Sequence, residues 1–257
     1  MAASVATIVA LGGAIVALPA RAAPGEASSA TCRARSDVRA PAVIELYTSE
    51  GCSSCPPADR WASGLKGRRD VVVLGFHVNY WDNLGWPDRF ADRAYTERQR
   101  MLQRAAGAPY VYTPQVVLNG RDWRGWSNKG IEAPAPSGIS VELSREGASV
   151  IASVTAAPDA RSSSAVSVSK LAGYWAVLED GHRSRVKSGE NAGETLSHDH
   201  VVTHYPALDA WPRAQPQRFV LASAPGAQGA GGVTRRVAFV VTDEQGATPL
   251  QALVLEC

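Results

Sequence analysis

Cysteine is scarce in this chain, four residues in 257, and only Cys52 and Cys55 stand close enough along the sequence to act as a pair. A second C-x-x-C is missing, which removes the other half of the ligand set that a zinc ribbon needs. Charge of one sign is missing too. Lys plus Arg number 26 against 24 for Asp plus Glu, a net charge of +2, so no field gathers nucleic acid or anionic lipid. Past the N-terminal segment no run is apolar for long enough to span a bilayer as a helix, and neither an internal repeat nor a long low-complexity tract is present. What the chain does have is 45% hydrophobic residues, ample for the core of one large domain or two modest ones.

Ala2 to Leu18 is almost wholly small or apolar and leads into Pro19-Ala20-Arg21-Ala22. That reads as a secretory signal over residues 1–22, although no Lys or Arg precedes the apolar run. The expected location is therefore periplasmic or secreted, an oxidising compartment, with no stable membrane span after cleavage.

Residues 23–40 read as an extended lead-in containing Cys32. From Pro41 the pattern becomes regular. AVIELYT, Ala42 to Thr48, is a strand; Ala58, Trp61, Ala62 and Leu65 mark one apolar helical face that stops near Gly67; VVVLGFHV, Val71 to Val78, is a central strand. An aromatic loop follows, then a basic helix from Pro87 to about Ala106 and a hairpin turning at Asn119-Gly120. Residues 133–139 look like a Pro- and Gly-bearing linker between a domain over 41–132 and a second over 140–257. In the latter, short β-like runs alternate with turns and no convincing helix occurs.

Two cysteines at this spacing, between a strand and a helix start, point to disulfide exchange. Unpaired amides and the positive dipole end at a helix N-terminus favour a thiolate. Cys52 would then attack a partner and Cys55 resolve the mixed disulfide. Pro56-Pro57 removes two of those amides and allows a displaced helix start. A merely structural disulfide is the competing reading.

LYTSEGCSSCPPAD (46–59), FHVNYWDNLGW (76–86), TPQVVLNG (113–120) and GENAGETL (189–196) together resemble a bacterial family of exported proteins of unknown function, the DUF1223 type, over roughly Pro41 to the C-terminus. The resemblance implies an α/β thioredoxin-like domain followed by a small antiparallel all-β subdomain, and it implies no substrate. In such a fold a cis Thr113-Pro114 would begin the strand facing the dithiol and offer the Thr113 backbone to a substrate peptide. A trans proline at a strand start is the plain alternative.

Other candidates are weaker in pattern. Glu45, an acid in an apolar strand, is a proton-transfer candidate, or else a solvent-facing or ion-paired residue. His77 would join Cys52 and Cys55 in a copper site, or else be a bonded core residue. His198, His200 and His204 would share one face of an extended segment and could hold copper or zinc, or else belong to a solvated strand or loop. Tyr80, Trp81, Trp86 and Trp126 would line a peptide groove or pack an interface. Arg89, Arg93, Arg98, Arg100 and Arg104 read as the wet face of a helix. Cys32 and Cys257 are expected to close a structural disulfide stabilising the fold by about 5 kcal/mol, or else to be two free thiols at frayed ends, one of them able to join chains. The function expected is an exported thiol-disulfide oxidoreductase without cofactor, acting on exported protein thiols or disulfides or on a redox partner protein. The alternatives are a copper metallochaperone and a non-catalytic binding module.

Overall fold

The computed structural model describes residues 1–3, 32–132, 136–156 and 168–257. The signal-peptide reading and part of the linker fall outside them. After β1 (Arg33–Arg35) come β2 (Ala42–Thr48), α1 (Pro56–Ser63), β3 (Val71–His77), a 3-10 segment (Asn79–Leu84) and α2 (Arg93–Ala105). A tight hairpin, β4 (Gln115–Leu118) and β5 (Arg121–Asp122), turns where Asn119 and Gly120 both take positive φ, the geometry that matches strand twist. Among the described residues the rest is strand, apart from a short 3-10 turn at Ala230–Gly232: β6 (Ile139–Glu146), β7 (Ser149–Ala156), β8 (Lys170–Asp180), β9 (His182–Arg185), β10 (Thr195–His198), β11 (Val201–His204), β12 (Ala207–Pro212), β13 (Gln217–Leu221), β14 (Thr234–Asp243) and β15 (Pro249–Leu255).

The sheet topology overturns the expected α/β thioredoxin-like domain with a small antiparallel subdomain behind it. A nine-stranded mixed sheet runs β15-β14-β8-β11-β3-β2-β4-β5, with β12 also on β8, so strands from both halves of the chain share one ladder. Strand dominates helix, and a second, four-stranded sheet is ordered β1-β6-β7-β13. The join is β11, parallel to β3 and antiparallel to β8. It depends on a glycine. Gly75 N–H donates to His200 O at 2.7 Å, and a Cβ on Gly75 would stand 3.1 Å from that oxygen. The apolar periodicity marked these segments as strands, but partner choice is a property of the whole sheet and no local pattern encodes it.

Alternation along the large sheet assigns its two faces. Val43, Tyr47, Val72, Leu74, Phe76, Tyr174, Ala176, Leu178, Ala238 and Val240 form one cluster with Tyr95 and Leu102 of α2. On the opposite face, Ala42, Ile44, Leu46, Val71 and Val73 meet Ala58 and Ala62 of α1. Farther along that face Trp175, Val177, Phe239 and Val241 meet Val141, Leu143 and Val150 of the four-stranded sheet. The sheet is covered on both sides, which is why its central strands read as unbroken apolar runs. A disulfide joins Cys32, just before β1, to Cys257, just after β15.

Two helix readings are corrected by the same packing. The basic helix starts at Arg93, not Pro87, because the Asp92 carboxylate accepts from Ala94 N–H at 2.7 Å and caps it. Arg98, expected on the wet face, is 3% exposed. Its Nε and Nη2 donate to Glu45 Oε2 and Oε1 at 2.8 and 2.6 Å. Tyr47 O–H donates to the same carboxylate at 2.6 Å, and the guanidinium lies 4.2 Å from the Tyr174 ring centroid. Desolvation of both charges is offset only by a bidentate bond with aromatic faces around it.

Removing one partner strands a buried charge. Arg98→Met is expected to cost about 3–5 kcal/mol, while Glu45→Gln with Arg98→Met together recovers much of that loss; denaturant midpoints of the two variants check it.

Candidate functional site

Cys52 and Cys55 form a disulfide in the turn between β2 and α1. The helix begins one residue after the second cysteine: Cys55 is the N-cap, and prolines occupy the first two helical positions. Its carbonyl accepts from Ala58 and Asp59 N–H at 2.9 and 3.2 Å. The two amides ahead of these are replaced by proline, so the first helical turn leaves no N–H free for the thiolate of Cys52. Cys52 therefore lacks the main donors by which a helix N-terminus would activate it. Ser54 Oγ lies 3.5 Å from Cys52 Sγ.

Both cysteines are 0% exposed, whereas Ser53 and Ser54 between them are exposed. Burial comes from behind and from above. Behind lies a polar cluster on the α1 side of the sheet. His77, the last residue of β3, contacts Asp88 Oδ2 through Nδ1 at 2.6 Å, and the same oxygen accepts from Glu50 N–H at 2.8 Å. Glu50 Oε2 accepts from the Trp86 indole at 2.7 Å. The His198 ring stands 5.0 Å from that of His77, with Nε2 3.2 Å from Glu50 Oε1. The two groups form an ion pair, while His198 Nδ1 lacks a hydrogen-bond partner among the described residues. Asp59, one helical turn beyond Cys55, accepts from Thr48 Oγ1 at 3.2 Å.

The charges in this cluster are tuned against one another. Burial opposes charge on His77, but the Asp88 carboxylate outweighs it and raises the imidazole above 6.5. Asp88 is likewise pushed up by burial and brought net below its usual range by His77. Burial also pushes Glu50 up; His198, Ser184 and Trp86 against it bring it net down. For Asp59 burial prevails over the nearby imidazoles, and its carboxyl is raised.

Above the disulfide, the Asn191 side-chain amide donates to Glu50 O at 2.9 Å and to Cys52 O at 3.0 Å. Glu190 Oε2 accepts from Ser53 N–H at 3.0 Å. The Thr113–Pro114 peptide is cis, and Thr113 Oγ1 accepts from the Trp81 indole at 2.8 Å.

Cys52, Cys55, His77, Trp81, Trp86 and His198 thus gather around one turn. Glu45 does not join them: its carboxylate is committed to Arg98, Tyr47 and Tyr174 on the other face of the sheet. The three histidines do not share a face, because the chain turns at His200, which has φ 58°. His200 lies beside Asp180 and Arg236, and burial, with Arg236, lowers it to about 4. His204 is exposed. Trp126 packs on Trp61 of α1, 5.4 Å between centroids, away from Trp81 and Trp86. Among the described residues no group of three or more His, Cys, Asp or Glu is arranged to hold a metal ion, and no helix is long and apolar enough to cross a membrane. Glu50, Asp59, Asp88, Ser184 and Asn191 were not singled out from sequence. Glu50, Asp59 and Asn191 lie inside the quoted motifs, and Asp59 follows Cys55 at the four-residue helical spacing.

A family model described as "Protein of unknown function (DUF1223)" matches residues 43–241. A crystal structure of an Agrobacterium tumefaciens protein from a structural genomics consortium is 28% identical, with a TM-score of 0.63, over 83% of this chain and 93% of that one. HBP35 of Porphyromonas gingivalis is 17% identical with a TM-score of 0.56, over 86% and 76%, a likeness of fold alone. No curated protein matches.

The His77–Asp88 pair makes a pH prediction. His77 binds its proton more tightly folded than at its ordinary 6.5, so its contribution to stability is full below about pH 6.5 and declines as pH rises through the raised value. The stability advantage of wild type over His77→Gln is expected to shrink as pH rises above about 6.5 in denaturant titrations. An advantage that grows with pH contradicts the assignment.

Proposed function

We propose, for a chain that belongs to the DUF1223 family of proteins of unknown function, that Cys52 and Cys55 exchange disulfides with thiols of exported protein partners. One observation carries the reading: the disulfide sits in a strand-to-helix turn flanked by a cluster of ionisable groups, with Glu50, His77, Asp88 and His198 buried and Asp59 half-buried. A structural staple has no need of titratable groups behind it, and their desolvation is costly.

In the oxidising direction, a partner thiolate attacks Cys52 Sγ. The Cys52–Cys55 bond breaks, its electron pair stays on Cys55, and that thiolate takes up a proton. Asp59 follows Cys55 by one turn, and burial raises its carboxyl above the ordinary 3.8, the direction that favours holding a proton it can give. A second partner thiolate then attacks the partner's own sulfur in the mixed disulfide and releases Cys52. The partner's two thiols become a disulfide, two electrons have moved to Cys52 and Cys55, and a redox partner protein carries them away. Reduction of a partner disulfide is the same sequence reversed. An oxidising location, periplasmic or secreted, agrees with the closed Cys32–Cys257 pair.

Cys52→Ser is expected to abolish exchange with a cysteine-bearing protein substrate. Cys55→Ser should instead accumulate a mixed disulfide on Cys52, visible by mass analysis. Full exchange activity in Cys52→Ser removes the proposal.

A further inference from the structure

The exchange chemistry makes no use of GENAGETL, residues 189–196, yet this segment is bonded to the turn that carries the disulfide. It spans the turn of the β9–β10 hairpin and the start of β10, and that hairpin is a two-stranded sheet of its own, hydrogen-bonded into neither large sheet. The turn closes on itself through Val186 N–H to Glu194 O at 3.0 Å and Gly193 N–H to Val186 O at 2.9 Å. Gly189 and Gly193, at φ 77° and 93°, flank the tip in a conformation that few other residues adopt. From that tip Asn191 and Glu190 reach the C-x-x-C turn.

Two features separate this from ordinary loop packing. First, the seat of the hairpin is polar and only partly satisfied. His198 Nε2 pairs with Glu50 Oε1 at 3.2 Å, while His198 Nδ1, on the hairpin, is buried without a hydrogen-bond partner among the described residues. A buried polar group without a partner favours an opened, hydrated state and lowers the cost of lifting the element. Second, the hairpin satisfies backbone with side chains. Glu50 O and Cys52 O are acceptors and Ser53 N–H is a donor, each bonded to Asn191 or Glu190. A polypeptide carries N–H and C=O groups able to replace these bonds; a small thiol such as glutathione has few.

We infer that the β9–β10 hairpin is a flap latched over the Cys52–Cys55 disulfide by Asn191, and that it admits a polypeptide in preference to a small thiol. This rests on Cys52–Cys55 being the reactive pair. Asn191 is a positioning residue in it: it touches the turn, not the sulfurs.

The test measures how fast the disulfide opens in the oxidised full chain with glutathione, and separately with an unstructured peptide carrying one cysteine. Each thiolate attacks Cys52 Sγ, Cys55 leaves as thiolate, and a second thiol resolves the mixed disulfide. Trapping and peptide mapping read Cys52–Cys55 apart from Cys32–Cys257. Asn191→Ala, which loses two hydrogen bonds, is expected to speed glutathione attack about tenfold and to narrow the preference for the peptide. Glu190→Gln changes only an exposed acceptor and should shift both in the same direction by less. If Asn191→Ala fails to fold, the exposed Glu190 variant decides alone. Glutathione rates equal to wild type in the folded variants, or a wild type that glutathione reduces as fast as the peptide, overturn the flap. Either result leaves the exchange reading standing if Cys52→Ser still abolishes exchange. Faster glutathione attack in the variants beside full exchange by Cys52→Ser shows that the hairpin shields the disulfide, but removes the exchange reading and with it the flap's part in choosing a substrate.

Discussion

The close approach of β11 to β3 at Gly75 is the constraint on which the arrangement rests. A backbone hydrogen bond of 2.7 Å from Gly75 to His200 lets a short strand from the second half of the chain insert between β3 and β8. Without it the β8–β14–β15 ladder has no route to β2 and β3, and the residues just before β11 have no reason to lie near the cysteines. With it, His198, Asn191 and Glu190 arrive at a turn some 140 positions earlier in sequence. The site is thus made jointly by two stretches of chain.

Two buried charged systems then divide the sheet between them, one on each face. Glu45 and Arg98, with Tyr47, Tyr174 and Tyr205, fix α2 against its face. Every oxygen and most donors of that pair are bonded, which suits a rigid support. The cluster behind the cysteines differs in kind. Its His77–Asp88 pair is well bonded and Glu50 pairs with His198, but His198 Nδ1 keeps no partner among the described residues. Incomplete satisfaction is expected of a place that must rearrange or exchange protons, and it is costly anywhere else.

Much of the local structure was legible. AVIELYT and VVVLGFH announce covered strands by composition, Asn119-Gly120 announces a hairpin, and Pro56-Pro57 announces the displaced helix start that puts Cys55 at the N-cap. What stayed hidden was long-range. That β8, β11, β14 and β15 extend the sheet of β2 and β3 follows from strand pairing over more than a hundred residues, for which alternation carries no address. Arg98 looked solvated because its helix is rich in arginine, and only the Glu45 partner across the sheet explains its burial. Asn191 had no chemical signature of its own: an amide becomes informative only once the carbonyls it bonds are known.

The reduction potential of the Cys52–Cys55 pair, obtained by titrating the purified full chain against glutathione buffers with thiol trapping, tests the account most directly. A working exchange pair lies within about −120 to −270 mV, and the account predicts a value in that span. A pair that stays oxidised below about −300 mV is a structural bond, and that result contradicts the account.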